Sequence, residues 1–139
     1  MLARKLGLEP AGVFGEIEGV PIGVWSKTEI SREKFIKKVT DVLGAAPTAI
    51  LTGPDTVRKV GIVTGGAGSW IGKAAAIGLD TFLTGEGNHH TYFDAEEAGL
   101  NVLYGGHYAT ETFGVVALAI HLTQIFGLEH VMINHPTGL

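Results

Sequence analysis

The sequence predicts an α/β domain whose sheet is largely parallel or mixed, with helices on both faces. Three observations predict it. From about residue 49 onward, short apolar runs alternate with helical stretches, as they do where crossovers connect neighbouring strands. Those runs are almost continuously apolar, as strands covered on both faces must be. Glycine is abundant, at 21 of 139 residues, and clusters just after the runs, where a strand has to turn sharply into a helix.

Taken in order, residues 1–8 read as the end of a helix closed by Gly7. Residues 14–18 and 22–26 alternate as short strands, with Gly19-Val20-Pro21 as the turn between them. Ser31 is placed to cap a helix reaching Leu43, because Phe35, Val39, Val42 and Leu43 recur at helical spacing and Gly44 follows. Strands are expected at 49–51 and 59–64. The turn Gly65-Gly66-Ala67-Gly68-Ser69-Trp70 then leads into a helix over 71–77. A strand at 80–84 is followed by "GEGNHH" and a helix ending at Ala98. A strand at 101–104 runs through Gly105-Gly106-His107 into a long helix over 108–126, and residues 130–134 read as a final strand. Residues 1–139 form one domain by length.

Composition removes several function classes. The chain has no cysteine, so disulfide frameworks, thiolate metal sites and cysteine nucleophiles are out. Net charge is −4, which offers no footprint for nucleic acid or anionic lipid. No signal-peptide pattern is evident, and the apolar stretch 113–128, interrupted by His121, Thr123 and Gln124, reads as short of a membrane span. The expectation is a cytoplasmic protein with no membrane partner.

In a sheet of this kind, ligands bind outside the carboxyl ends of the strands. Three successive strand ends carry "GGAGS", "GEGNHH" and "GGHYATE", so a site is expected at that edge. His107 and Glu111 lie four residues apart, hence on one helix face about 6 Å apart along the axis. Imidazole and carboxylate together suit zinc, manganese or iron better than calcium. The alternative is a first-turn acid favoured by the helix dipole, beside a histidine near the cap. Glu86, His89 and His90 sit at the neighbouring strand end. Adjacent histidines on a helix diverge by about 100°, so one of the pair faces the pocket, and His89 is the better candidate. Asp94, Glu96 and Glu97 read as a solvated helix face, and His121, His130 and His135 as packed or terminal residues.

The stretch around Gly65, Gly66, Gly68 and Ser69 fails as a Walker loop, having Ala67 and Ala74 where glycine and a hydroxyl residue belong. It also has one residue too many for a dinucleotide turn. Two readings stay open: an amide nest that receives a phosphate or carboxylate, and glycines that only let the backbone turn.

Together, "KVGIVTGGAGSWI", "DTFLTGEGNHH" and "AGLNVLYGGHYATETFGVVAL" resemble the C-terminal half of the Nif-three-like family, the YbgI-type dinuclear metal proteins. The resemblance covers nearly the whole chain and is most specific at Thr84-Gly85-Glu86, His89-His90 and Gly106-His107-x-x-Thr110-Glu111. It implies an α/β fold of two similar halves, a toroidal homohexamer, and a pair of divalent ions per subunit. By resemblance His107 and Glu111 match metal ligands, while Glu86 and His89 match pocket residues near the metals, placed to orient or deprotonate a water. Family members are described as GTP cyclohydrolase 1 type 2 homologues, which implies metal-assisted hydrolysis of a nucleotide or another small phosphorylated molecule. One departure matters. The family's His-His-Pro motif and aspartate have no equivalent here, so a dinuclear site would lack most of its ligands. A non-catalytic metal-binding or oligomeric scaffold module is therefore the competing expectation.

Overall fold

The computed structural model describes residues 1–136; the last three residues of the expected 1–139 domain lie outside the described part. The chain runs α1 (Leu2–Lys5), β1 (Pro10–Ile17), β2 (Val20–Ser31), α2 (Arg32–Leu43), β3 (Thr48–Leu51) and β4 (Thr56–Ile62). A single 3-10 turn, Gly68–Trp70, precedes α3 (Ile71–Ala76), β5 (Thr81–Thr84), α4 (Thr91–Ala98), β6 (Asn101–Tyr104) and α5 (His107–Phe126). Six strands form one mixed sheet in the order β1-β2-β4-β5-β6-β3. The three central strands β4, β5 and β6 are mutually parallel, while the β1–β2 hairpin and β3 add antiparallel margins.

The central strands show why both faces must be covered. Along β5, Phe82 packs into one core cluster with Ile71, Ala74, Ala95 and Leu100, while its neighbour Leu83 joins the other, with Leu2, Leu6, Phe35 and Val39. Val102 and Leu103 divide in the same way on β6. A period of two with both phases apolar requires helices on each side: α1 and α2 cover one face, α3 and α4 the other. Each large apolar side chain buried in this way stabilises the fold by roughly 1.5–3 kcal/mol.

Local signals set several boundaries. Ser31 caps α2 by accepting the Lys34 amide at 3.4 Å, and Gly44 closes it in a left-handed conformation. The β1–β2 turn falls one residue earlier than the sequence suggests. Ile17 pairs with Val20, leaving Glu18 and Gly19 as the two turn residues, both with positive φ (51° and 80°). This mirror-image turn matches the twist of the strands it joins. Pro21 then lies in the overhang of β2, before its pairing with β4 begins at Val24, where a missing amide costs nothing on that side.

Two expectations are revised. Residues 130–134 form no strand: they run back along α5, tied by a hydrogen bond between Thr123 and His130 at 2.8 Å and by Tyr108 donating to Asn134 at 3.0 Å. Apolar composition made this segment strand-capable, but it lies against α5 and pairs with neither outer strand of the sheet. In addition, α5 is, by length and composition alone, long and apolar enough to cross a membrane, contrary to the sequence reading. Its first turn is nonetheless anchored at the sheet edge, where Thr110 is fully buried.

Candidate functional site

The parallel strands β4, β5 and β6 present their carboxyl ends side by side, so the three glycine-rich turns meet at one edge. Backbone bonds stitch them together. Gly85 donates to Gly65 O at 2.8 Å, Gly68 to Glu86 O at 3.0 Å, and Gly106 to Gly85 O at 2.8 Å. Two fully buried threonine hydroxyls complete the clamp. Thr84, at the end of β5, donates to Gly65 O and accepts the Ala67 amide, at 3.0 and 3.2 Å. Thr110, on α5, accepts the Gly65 amide at 3.0 Å and points its own proton toward the Gly106 and His107 carbonyls. Both threonines lie inside the most specific motifs of the resemblance, but the sequence assigned neither hydroxyl a role.

Within this frame His107 stands between two carboxylates. Its Nδ1 lies 2.9 Å from Glu86 Oε1 and its Nε2 lies 3.3 Å from Glu111 Oε1. All three side chains are partly open to solvent, at 42%, 52% and 55% exposure. The hydrogen bond to Glu86 is the main reason that the imidazole pKa rises above its ordinary 6.5; partial burial opposes this, and the charge of Glu111 adds to it. When protonated, the ring is an imidazolium held in a carboxylate pincer.

Gly65 forms the wall of the pincer. It has φ +73°, and a Cβ there would overlap the Glu111 carboxylate and come within 3.1 Å of His107 Nε2. Glycine is required here for both conformation and space.

The structure thus brings Glu86, His107 and Glu111 together, but not His89. That residue is exposed, and its ring packs at 6.3 Å from Phe93. It makes no hydrogen bond to the other three among the described residues. Glu86 engages the far nitrogen of His107 through Oε1, with its side chain half exposed. The nest over Gly65, Gly66, Gly68 and Ser69 is largely spent, with the amides of Gly65, Ala67 and Gly68 all donating inside the protein. An anion at this turn would also meet Glu86 and Glu111, so the tight-turn reading is the better physical account. His90 precedes α4 without capping it through its side chain, and Asp94 is exposed, as expected.

A second polar cluster lies at the opposite edge of the sheet. Buried Asn101 donates to Pro54 O at 2.9 Å and accepts from Gly53 and Arg32 at 3.2 and 3.3 Å. Every member has a partner, as a structural network requires.

The sequence profile of the Duf34/NIF3 (NGG1p interacting factor 3) family matches residues 1–138. The GTP cyclohydrolase 1 type 2 homolog of Deinococcus radiodurans is 38% identical over 141 aligned residues, which take in 100% of this chain and 54% of the relative. Its counterpart in Archaeoglobus fulgidus is 37% identical over 100% of this chain and 56% of its own length. The chain therefore spans about half the length of these curated relatives. Among solved structures, the protein ybgI superposes with a TM-score of 0.89 at 32% identity, covering 98% of this chain and 54% of that one. TTHA1606 from Thermus thermophilus superposes at 0.82 with 38% identity, covering 99% and 54%.

Proposed function

Since the chain belongs to the Duf34/NIF3 family, we propose that its carboxyl edge carries part of a divalent-metal site serving hydrolysis of a nucleotide or another small phosphorylated molecule. The observation that supports this reading is the convergence of His107 Nε2 and Glu111 Oε1 to 3.3 Å, beside a glycine that leaves room for nothing larger. An imidazole nitrogen and a carboxylate oxygen form a donor pair suited to zinc, manganese or iron. Two donors are fewer than such an ion takes, and no group of three metal-ligating side chains is arranged for one among the described residues. Water or other groups would complete the coordination; the relatives are nearly twice as long as this chain.

A divalent ion held there would supply Lewis-acid chemistry. The chain's own residues do the positioning. Glu86 accepts the Nδ1 proton of His107, which directs Nε2 toward Glu111 and makes the ring a better donor, the usual arrangement of carboxylate behind imidazole. Thr110 and Thr84 hold the Gly65 wall against this pair. His89, away from the pincer, is given no part in proton transfer. Replacing His107 by Ala should abolish any bound transition metal, read by elemental analysis of the purified protein. Metal content equal to that of the parent would discard the site.

A second reading, a non-catalytic module that works by assembling with copies of itself, is favoured by one observation. Val115, Leu118, Ile125 and Phe126 on α5 are all more than half exposed, an apolar surface expected to be covered. Light scattering after size exclusion tests it: an oligomer loaded with metal yet inert toward nucleotides supports the module, and a monomer rules it out.

A further inference from the structure

Next to the pincer, on the other side of residues 86–87, lies a depression of about 500 Å³ that the reading above leaves unused. Four rings, those of His89, Tyr92, Phe93 and Tyr104, line it together with smaller residues such as Thr48, Ile50 and Asn88. His89 and Phe93 lie side by side with ring centres 6.3 Å apart and planes tilted by 36°, and Tyr92 meets Phe93 edge-on at 5.5 Å. Tyr104, at the end of β6, closes the inner side. Phe93 and Tyr92 are 53% and 46% exposed, although nothing in the local helix requires two large rings to face outward together.

The inner wall is built rather than incidental. The Tyr104 hydroxyl is fixed at 2.6 Å from Thr91 Oγ1, and Thr91 itself is buried. Thr91 donates its own proton to Asn88 O, so the Tyr104 hydroxyl is the donor to Thr91 and the ring is held in one orientation; burial also pushes the phenol pKa up from its ordinary value. Gly87 makes the approach of this ring possible, since a Cβ there would overlap the Tyr104 hydroxyl. Consecutive residues thus serve two neighbouring places: the Glu86 carboxylate touches His107 and the Gly87 backbone lies against Tyr104.

We propose that the His89, Phe93 and Tyr104 depression binds the flat ring of a heteroaromatic ligand such as a nucleobase, leaving the rest of that ligand to extend across residues 86–87 toward His107 and Glu111. Stacking on aromatic side chains suits any planar heterocycle, and the pocket lies within the size range of small-ligand sites. The proposal rests on the reading above only for what the far end of the ligand meets. Ring binding itself needs no metal. It also gives His89 a role, as part of the stacking surface, that fits its distance from the pincer.

Guanosine, adenosine and ribose, titrated into the chain in EDTA with calorimetry and aromatic-ring NMR as readouts, test it. Both nucleosides should bind and shift the ring signals of His89, Phe93 and Tyr104, while ribose does neither. Phe93→Ala, at an exposed position that should not disturb folding, should weaken nucleoside binding at least about fivefold, the lower end of a lost stack. Its metal content should match the parent's, so the metal reading stands or falls separately, on His107→Ala. No nucleoside binding, binding of ribose with equal affinity, or an unchanged affinity in Phe93→Ala would overturn the proposal. So would a change in particle size in Phe93→Ala without nucleoside binding, which would identify a protein contact.

Discussion

The turns at the carboxyl edge and the outer half of α5 are both built from unexceptional residues, yet they are held in opposite ways. At the edge, few apolar atoms are involved and nearly every polar group has an assigned partner: Gly65 N with Thr110, Gly65 O with Thr84, His107 with Glu86 and Glu111. Along α5 beyond its first turn the apolar residues are abundant and largely unoccupied, and the segment after Gly127 lies against the helix through a few side-chain bonds. Directional bonding specifies one geometry from within. Apolar surface specifies only that something must cover it.

The contrast can be broken by substitution. Gly65→Ala should have the largest effect, since the backbone conformation alone costs about 1–3 kcal/mol for a residue with a Cβ and the overlap with Glu111 adds to it. A lowered denaturant midpoint together with weakened metal binding is expected; an unchanged midpoint would mean that the edge is not rigid. Thr110→Val comes next. It keeps the shape but leaves the buried Gly65 amide without an acceptor, a loss of about 1–3 kcal/mol that Thr110→Ser should largely restore in the same denaturation assay.

A smaller effect belongs to Glu86. Because the folded-state pKa of His107 is raised, its contribution to stability is complete below the unfolded value near 6.5 and is lost as pH rises through the folded value. With His107 42% exposed, solvent screens much of it. Glu86→Gln should move the His107 ring titration, followed by NMR in EDTA, back toward its ordinary position; a titration that stays put would assign the shift to Glu111 instead. The smallest effect is expected at Leu118, 57% exposed. Leu118→Ser should change the stability of the monomeric chain by no more than about 0.5 kcal/mol. A larger loss, or a change in particle size, would show that α5 is buried in an assembly and sharpen the contrast into one between inner and outer contacts.

Much of this was legible beforehand. The periodicity around Phe35 and Val39 marked α2, the paired apolar phases of Phe82 with Leu83 marked a sheet covered on both sides, and Gly44, Gly99 and Gly127 marked where helices stop. The resemblance pointed to Glu86, His107 and Glu111, and the fold brings these three side chains into contact. Three things were not legible. The strand-like run at 130–134 pairs with no strand and lies against α5 instead, because strand formation depends on a distant partner. The turn at Gly65–Ser69 stayed open between an anion nest and a tight turn, because a sequence does not show that its amides are taken by Thr84, Thr110 and the Glu86 carbonyl. His89 was expected beside the metal pair, but its ring lies against Phe93, because nearness along a turn says little about which way a ring points.

By itself, the sequence determined the alternation of elements, their capping glycines and which residue types gather at the sheet's carboxyl edge, since these depend on local conformation and on periodicity along the chain. Only the tertiary structure decided that Glu86 serves the far nitrogen of His107, that Thr84 and Thr110 lock the Gly65 turn, and that His89 faces an aromatic depression. Those outcomes are fixed by contacts between residues far apart along the chain, whose directions are set by how three parallel strands pack side by side.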